Sequence, residues 1–353
     1  MKDTAFRVGI VGCGYGAQVL TPAFRSDPRV LVVAMSARSQ AKADESAQAL
    51  AVPEAFGDWR DMLDPDRIDA VAIATPPSVQ PEIALAALDR GLCVFAEKPL
   101  ALSIDAAQTL VCAAEASDRA NMVDFNFREV AAFRTAHDQL QSGVLGSIRH
   151  IVVTWHVESY ANRARLQNWK TDVSFGGGAL SNFVAHSLDY LEWMVGPISS
   201  LCANLAVMPD DIRPNDAFVG LMMRFEGGAA GGLVMSAAAY RGSGHRIEIY
   251  GEEGSLILEN PGPDYMRGFR LLLARRPNAW EPVGISTSEE DSWHDGRVLP
   301  ASRLAKRFTD WALRGEPCEP SFATGMRVQS LLDAARHSNN TGGWIDTAAN
   351  TPG

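Results

Sequence analysis

Residues 8–20 read VGIVGCGYGAQVL: an apolar β-rich run, a cluster of glycines, then the start of a helical stretch. Gly12, Gly14 and Ala17 match the pattern G-x-G-x-x-G/A, with Tyr15 inside it and Gly16 as an extra glycine. The first glycine of that pattern permits a tight strand-to-helix turn, and the second lets the backbone approach a pyrophosphate. The third position keeps helix and strand close, while the helix N-terminus offers N–H donors to an anion. A glycine triplet alone also fits a turn with no ligand. Its place at the head of a repeating strand–helix series makes it a dinucleotide cradle.

That series follows at once. VLVVAM, DAVAIAT, LCVFAE and NMVDFN are apolar runs of the kind buried on both faces of a sheet. AKADESAQALA, PEIALAALDRG and SIDAAQTLVCAAEASD lie between them with helical spacing and propensity. Alternation of this kind predicts a parallel, doubly wound sheet. Beyond about Phe125 the rhythm changes to helices near 129–141 and 179–195 and a run of strands separated by short glycine turns, which suits an antiparallel sheet. The stretch Pro277–Gly296 is polar, acidic and loop-like, and helices near 301–314 and 322–338 follow it. The expected domains are a dinucleotide-binding domain over 1–124 and an α/β domain over 125–353, as the chain's 353 residues suggest.

Composition narrows the partners. A net charge of −10 with no Lys/Arg block argues against nucleic acid or an anionic membrane. No apolar run approaches a membrane span and no leader is evident, so a cytoplasmic protein is expected. The five scattered cysteines contain no C-x-x-C pair, and His137, His150, His245, His294 and His337 lack metal-ligand spacing, so no metal is assigned.

The end of the second strand bears on which dinucleotide is bound. NAD sites place Asp or Glu there, on the ribose hydroxyls. Here MSARSQAKA (Met35–Ala43) holds no acid and offers Ser36, Arg38, Ser39 and Lys42. These favour the 2′-phosphate of NADP, with NAD left open and solvated helix-head charges as the plainer alternative.

Two further stretches lie at the carboxyl edge, where doubly wound folds bind ligands. ATPPSVQ, with Thr75 and Pro76, follows the run DAVAI, and AEKPL, with Glu97, Lys98 and Pro99, follows LCVF. With VGIVGCGYGA and, further on, GGGALSNFVAHSLDY, these motifs resemble the Gfo/Idh/MocA oxidoreductase family in order and spacing across most of the chain. The resemblance implies an N-terminal Rossmann domain and a C-terminal α/β domain with a large, mainly antiparallel open sheet that often mediates dimer or tetramer contacts. It implies hydride transfer between nicotinamide and a sugar, polyol or related carbonyl, a nucleotide-linked sugar included. In the family the Lys of E-K-P, here Lys98, reaches the reacting oxygen, and the His of the helix motif, here His186, assists proton transfer.

On a helix, Asn182, His186 and Asp189 fall on one narrow arc while Leu180, Phe183, Val184, Leu188, Leu191 and Met194 fill the other. Three glycines, Gly176–Gly178, precede it and suggest a close approach. Two departures stand out: Asn182 occupies a position where the family commonly has Asp, and Gln80 replaces a frequent histidine. Asn cannot titrate, so acid–base work would rest on Lys98 and His186. Arg128, Trp155, Trp169, Lys170 and Asn182 join His186 as candidate substrate contacts, the tryptophans as stacking faces or simply packing, Arg128 as donor or salt-bridge partner. The alternatives are a dinucleotide-binding sensor without catalysis and a reductase of a non-sugar substrate.

Overall fold

The computed structural model describes residues 5–286 and 293–347; residues 287–292 of the acidic stretch lie outside them. The chain divides into two compact units, one over 1–126 and 293–326, the other over 127–292 and 327–353.

The first unit is built on six parallel strands: β1 (Phe6–Val11), β2 (Val30–Ser36), β3 (Glu54–Phe56), β4 (Ala70–Ile73), β5 (Cys93–Ala96) and β6 (Asn121–Val123). Their order is β3-β2-β1-β4-β5-β6, so the direction of winding reverses between β1 and β4. A switch of this kind opens a crevice at the carboxyl ends of those strands. β4 and β5 are buried at every position, as expected of strands covered on both faces. The short β3 escaped the sequence reading because its three residues are all only half-buried and carry no apolar run.

The return of residues 293–326 to this unit has a packing cause. Phe308, on the helix Val298–Arg314, meets Phe6, Phe24 and Phe95 edge-on, with ring centroids 6.4, 6.1 and 5.7 Å away. Such aromatic pairs add about 0.5–1.5 kcal/mol each beyond burial. The same segment covers the edge of β6: Pro320 O accepts from Val123 N at 3.0 Å, and Asn121 Oδ1 accepts from Phe322 N at 2.9 Å. The expected second domain of 125–353 kept these residues with the antiparallel sheet. An amphipathic helix near the chain's end does not announce which core its apolar face will join.

The second unit holds a nine-stranded sheet: β7 (Ile148–His156), β8 (Ile198–Val207), β9 (Asp216–Phe225), β10 (Ala230–Ser236), β11 (Gly244–Gly251), β12 (Gly254–Asn260), β13 (Arg270–Arg275), β14 (Glu281–Pro282) and β15 (Ile345–Asp346). The order is β14-β13-β12-β11-β7-β10-β9-β8-β15. All neighbours are antiparallel except β7 and β10, which the long crossover between β7 and β8 makes parallel. No helix among the described residues is long and apolar enough to cross a membrane.

Candidate active site

At the carboxyl edge of the six-stranded sheet, β1 runs into the glycine turn. Gly12 N donates to Ser36 O at 2.9 Å and Ala74 N to Val11 O at 2.8 Å, which ties the ends of β1, β2 and β4 together. Gly12 has φ +109°, and a Cβ there would lie 2.3 Å from Ala74 O, so the turn admits only glycine. A Cβ on Gly14 would meet nothing within 4 Å. The two glycines thus differ as a dinucleotide cradle requires: one shapes the turn, and the other keeps a space open.

The third position departs from expectation. Close helix–strand packing falls on Gly16, whose Cβ would come within 2.8 Å of Ile10 Cγ2, and not on the half-buried Ala17. The helix opens with a wide i→i+5 turn over Gly16–Leu20 before Thr21–Arg25, and that turn sets Gly16 over the strand.

Around this turn the candidate residues separate by role. Ser36 is buried, Ser39 caps the helix Gln40–Leu50 by accepting from Lys42 N at 3.4 Å, and Lys42 pairs with Glu45 at 2.8 Å. Arg38 is exposed, and among the described residues no carboxylate pairs with it. After β4, Thr75 Oγ1 is buried without a hydrogen-bond partner among the described residues, and Pro76 follows.

After β5, Glu97 N donates to Ile73 O at 2.9 Å and the Lys98–Pro99 peptide is cis. Gln80 explains how this loop keeps its shape. Fully buried, it donates from Nε2 to the carbonyls of Glu97 (2.6 Å), Leu100 (3.1 Å) and Pro99 (3.2 Å). Its departure from a histidine therefore serves the loop's backbone. Sequence reasoning also missed Asp124 and Asn126. Tyr15 Oη donates to Asp124 Oδ2 at 2.9 Å and accepts from Asn126 Nδ2 at 3.0 Å. The Arg297 guanidinium lies 5.5 Å from the Tyr15 ring centroid. Burial and the neighbouring Glu97 carboxylate push Asp124 well above the usual carboxylate range. The only sequence signal was an acidic residue directly behind the apolar run NMV.

In the second unit two of the three glycines do make a close approach, to the chain itself. A Cβ on Gly177 would lie 2.4 Å from Trp169 O, and one on Gly178 (φ +91°) 2.0 Å from Asp216 Oδ1. Asp216 Oδ2 accepts from Leu180 N at 2.7 Å, so this carboxylate caps the helix made of Leu180–Val184 and Ala185–Val195. Burial raises Asp216 to about 6, against the lowering effect of the backbone donors Leu180 and Ala179 and of Arg336.

The polar arc of that helix is turned inward. His186 and Asp189 are buried, and the His186 ring meets Phe127 edge-on at 4.9 Å. Asp189 receives Arg128 through Nη2 at 2.6 Å and Nε at 3.0 Å, a buried salt bridge. Asn182 Nδ2 donates to Gly178 O at 2.9 Å and Lys170 O at 3.0 Å. A carboxylate at 182 could not make those bonds, which accounts for Asn in place of Asp.

Trp155, which the sequence offers as a stacking face or as packing, lies in the core. Only 2% exposed on β7, its ring stacks on His245 at 4.2 Å, with Phe127 and Phe183 edge-on at 5.6 and 5.2 Å. The alternation of IRHIVVTWH turns it inward with Val153 and Ile151. His245 in turn bonds Tyr190 Oη at 2.9 Å, and burial pushes it down to about 3. Trp169 is half-buried, with the exposed Lys170 ammonium 5.6 Å from its ring centroid.

Comparison with known proteins agrees with this fold. Residues 6–125 match the oxidoreductase family with an NAD-binding Rossmann fold, and residues 133–257 match the GFO/IDH/MocA C-terminal domain. An uncharacterised oxidoreductase of Synechocystis is 30% identical over 98% of the chain and 96% of its own length. Levoglucosan dehydrogenase of Pseudarthrobacter phenanthrenivorans is 25% identical over 96% of the chain and 97% of its own length. The solved levoglucosan dehydrogenase complex with NADH and levoglucosan superposes with a TM-score of 0.86 at 26% identity, covering 97% of this chain and 99% of that one. The chain belongs to the Gfo/Idh/MocA family of NAD-binding Rossmann oxidoreductases.

Proposed function

We propose that the protein is an NADP-dependent dehydrogenase or reductase acting on a hydroxyl or carbonyl carbon of a sugar or polyol. The observation that carries the cofactor choice is the end of β2, where Met35–Ala43 contains no acid and Arg38 is exposed. A carboxylate at that place would repel a 2′-phosphate, whereas guanidinium offers it a planar fork of donors. The open space at Gly14 and the buried, unpartnered hydroxyl of Thr75 fit a pyrophosphate and its neighbouring groups. When bound, the nicotinamide supplies the hydride or takes it.

Lys98 is assigned to the reacting oxygen, where an ammonium polarises a carbonyl and stabilises developing alkoxide charge. His186 is assigned to proton exchange, since imidazole ordinarily titrates near neutral pH. Asn182 holds backbone rather than protons, and Trp169 and Lys170 are the remaining candidates for sugar contact. The substrate class rests on the relatives: besides levoglucosan dehydrogenase, myo-inositol 2-dehydrogenase of Thermotoga maritima is 22% identical over 72% of this chain and 75% of its own length. We assign the open face of the nine-stranded sheet, which presents Val152, Met222 and Val234 on one side, to association with a second copy.

Titration with NADPH and NADH, followed by nicotinamide fluorescence, tests the cofactor reading. Tighter NADPH binding that weakens by about 10-fold or more in Arg38→Ala, with NADH unaffected, is expected. A preference for NADH, or indifference to the substitution, would sink it.

A further inference from the structure

The first unit holds two buried acceptor oxygens that no donor reaches among the described residues, Asp124 Oδ1 and Asn126 Oδ1. Asp124 is 1% exposed and Asn126 4%. Both residues follow β6, and Asp124 N donates to Ala96 O at 2.8 Å, one step beyond the pairing of Ala96 with Val123. They therefore stand at the carboxyl edge of the sheet, beside the strand that leads into Lys98, on the side from which a doubly wound fold takes its ligand.

One hydroxyl fixes how both groups are turned. Tyr15 Oη has a single proton, which goes to Asp124 Oδ2 at 2.9 Å, so it accepts from the Asn126 amide, whose Nδ2 lies 3.0 Å away. Asn126 thus presents nitrogen to Tyr15 and keeps its oxygen for another donor. Asp124 likewise gives one oxygen to Tyr15 and keeps the other. Folded chains rarely leave a buried acceptor without a donor, and here two such oxygens hang from one hydroxyl.

The chemistry of the missing group follows from that pair. Two acceptor oxygens offer nothing to a phosphate and call for N–H or O–H donors. Along the sheet edge, Arg38 after β2 lies at the end assigned to the 2′-phosphate and Gly14 after β1 at the pyrophosphate, while β5 and β6 lie on the other side of β1 from β2. A dinucleotide laid in that direction brings its nicotinamide end to β5 and β6. The group there with two protons on one atom is the carboxamide NH2.

We propose that Asn126 Oδ1, with Asp124 Oδ1, accepts the carboxamide NH2 of the nicotinamide, and that Tyr15 keeps the Asn126 amide turned for it. The inference rests on the dinucleotide reading above and names the residues that orient the ring. Asn126 is then a cofactor-binding residue, and Tyr15 a positioning residue that acts through it.

The test is calorimetric titration with NADP and with its 3-acetylpyridine analogue, in which a methyl group replaces the NH2. Should the parent prefer NAD, NAD and its own acetylpyridine analogue take their place, so the outcome does not depend on Arg38. The parent is expected to bind the analogue about 10-fold more weakly than the natural dinucleotide. Asn126→Leu should bind the natural dinucleotide as weakly as the analogue, and Tyr15→Phe, whose amide is free to turn, should lose part of the preference. A variant that merely loosens the fold would weaken both ligands alike and keep their ratio. A parent that binds the two equally overturns the proposal. So does a preference that survives in Asn126→Leu or, if that variant melts early, in Tyr15→Phe. A parent that binds neither NADP nor NAD overturns the dinucleotide reading, and this inference with it.

Discussion

Two glycine turns in this chain look alike and do opposite things. Gly12–Gly16 and Gly176–Gly178 each lead into a helix whose first turn is wide, over Gly16–Leu20 and Leu180–Val184. At the first turn a missing side chain leaves room that the protein does not fill, at Gly14. At the second, the room is taken by the protein's own atoms: the Asp216 carboxylate against Gly178 and the backbone of residues 169–172 against Gly177. Glycine before a helix signals close approach, and the structure decides whether a ligand or the chain does the approaching.

The sharpest way to break this comparison is to add one methyl group at each turn. Gly12→Ala and Gly178→Ala meet both a positive φ and an oxygen at 2.3 or 2.0 Å, so each should cost about 3 kcal/mol or more in chemical denaturation. Equal stability in either variant would mean that the turn relaxes and that the glycine was not structurally required.

A smaller effect sharpens the second turn alone. Asp216 is held at about 6, above its ordinary carboxylate value, so the folded state keeps this proton to higher pH than the unfolded chain. The sign follows: its favourable contribution is fully present below about pH 4 and is lost as pH rises through about 6, by at most about 3 kcal/mol. Denaturation of the parent and of Asp216→Asn across pH 4–7 should show that difference narrowing in this sense. A difference that is constant with pH would show that Asp216 stays ionised. His245 has the opposite sign, its neutral form stabilising above about pH 6.5 and costing stability as pH falls towards about 3. Its slope is common to both proteins and cancels in the comparison.

The smallest effect on the fold is expected at Gly14. Gly14→Ala should melt with the parent, since its Cβ meets nothing, yet bind NADPH about 10-fold more weakly. Loss of stability, or full retention of affinity, would make the two turns equivalent after all.

What could be read in the sequence follows from the same distinction. The parallel sheet, its winding and its carboxyl-edge motifs were legible because they depend on periodicity and backbone-demanding residues: β1, β2, β4 and β5 each appear as apolar runs, and E-K-P and A-T-P-P mark their ends. The helix carrying His186 was legible by its spacing. The partners of individual side chains were not. Trp155 reads as a core ring or as a sugar platform, and only the register that stacks it on His245 separates the two. Arg128 and Asp189 lie 61 residues apart, and Tyr15 and Asp124 lie 109 apart, distances over which no local pattern carries information. Gln80 looked like a departure from a family histidine, and its three bonds to loop carbonyls emerge only once that loop is folded against it.

The account turns on Lys98 acting on the reacting oxygen at the edge of the first sheet. The direct measurement is kcat and NADPH affinity for Lys98→Met beside the parent, with the sugar or polyol that the parent turns over. The account predicts a kcat lower by about 100-fold or more at unchanged NADPH affinity. Turnover that survives the substitution would contradict it and move the chemistry away from the E-K-P loop.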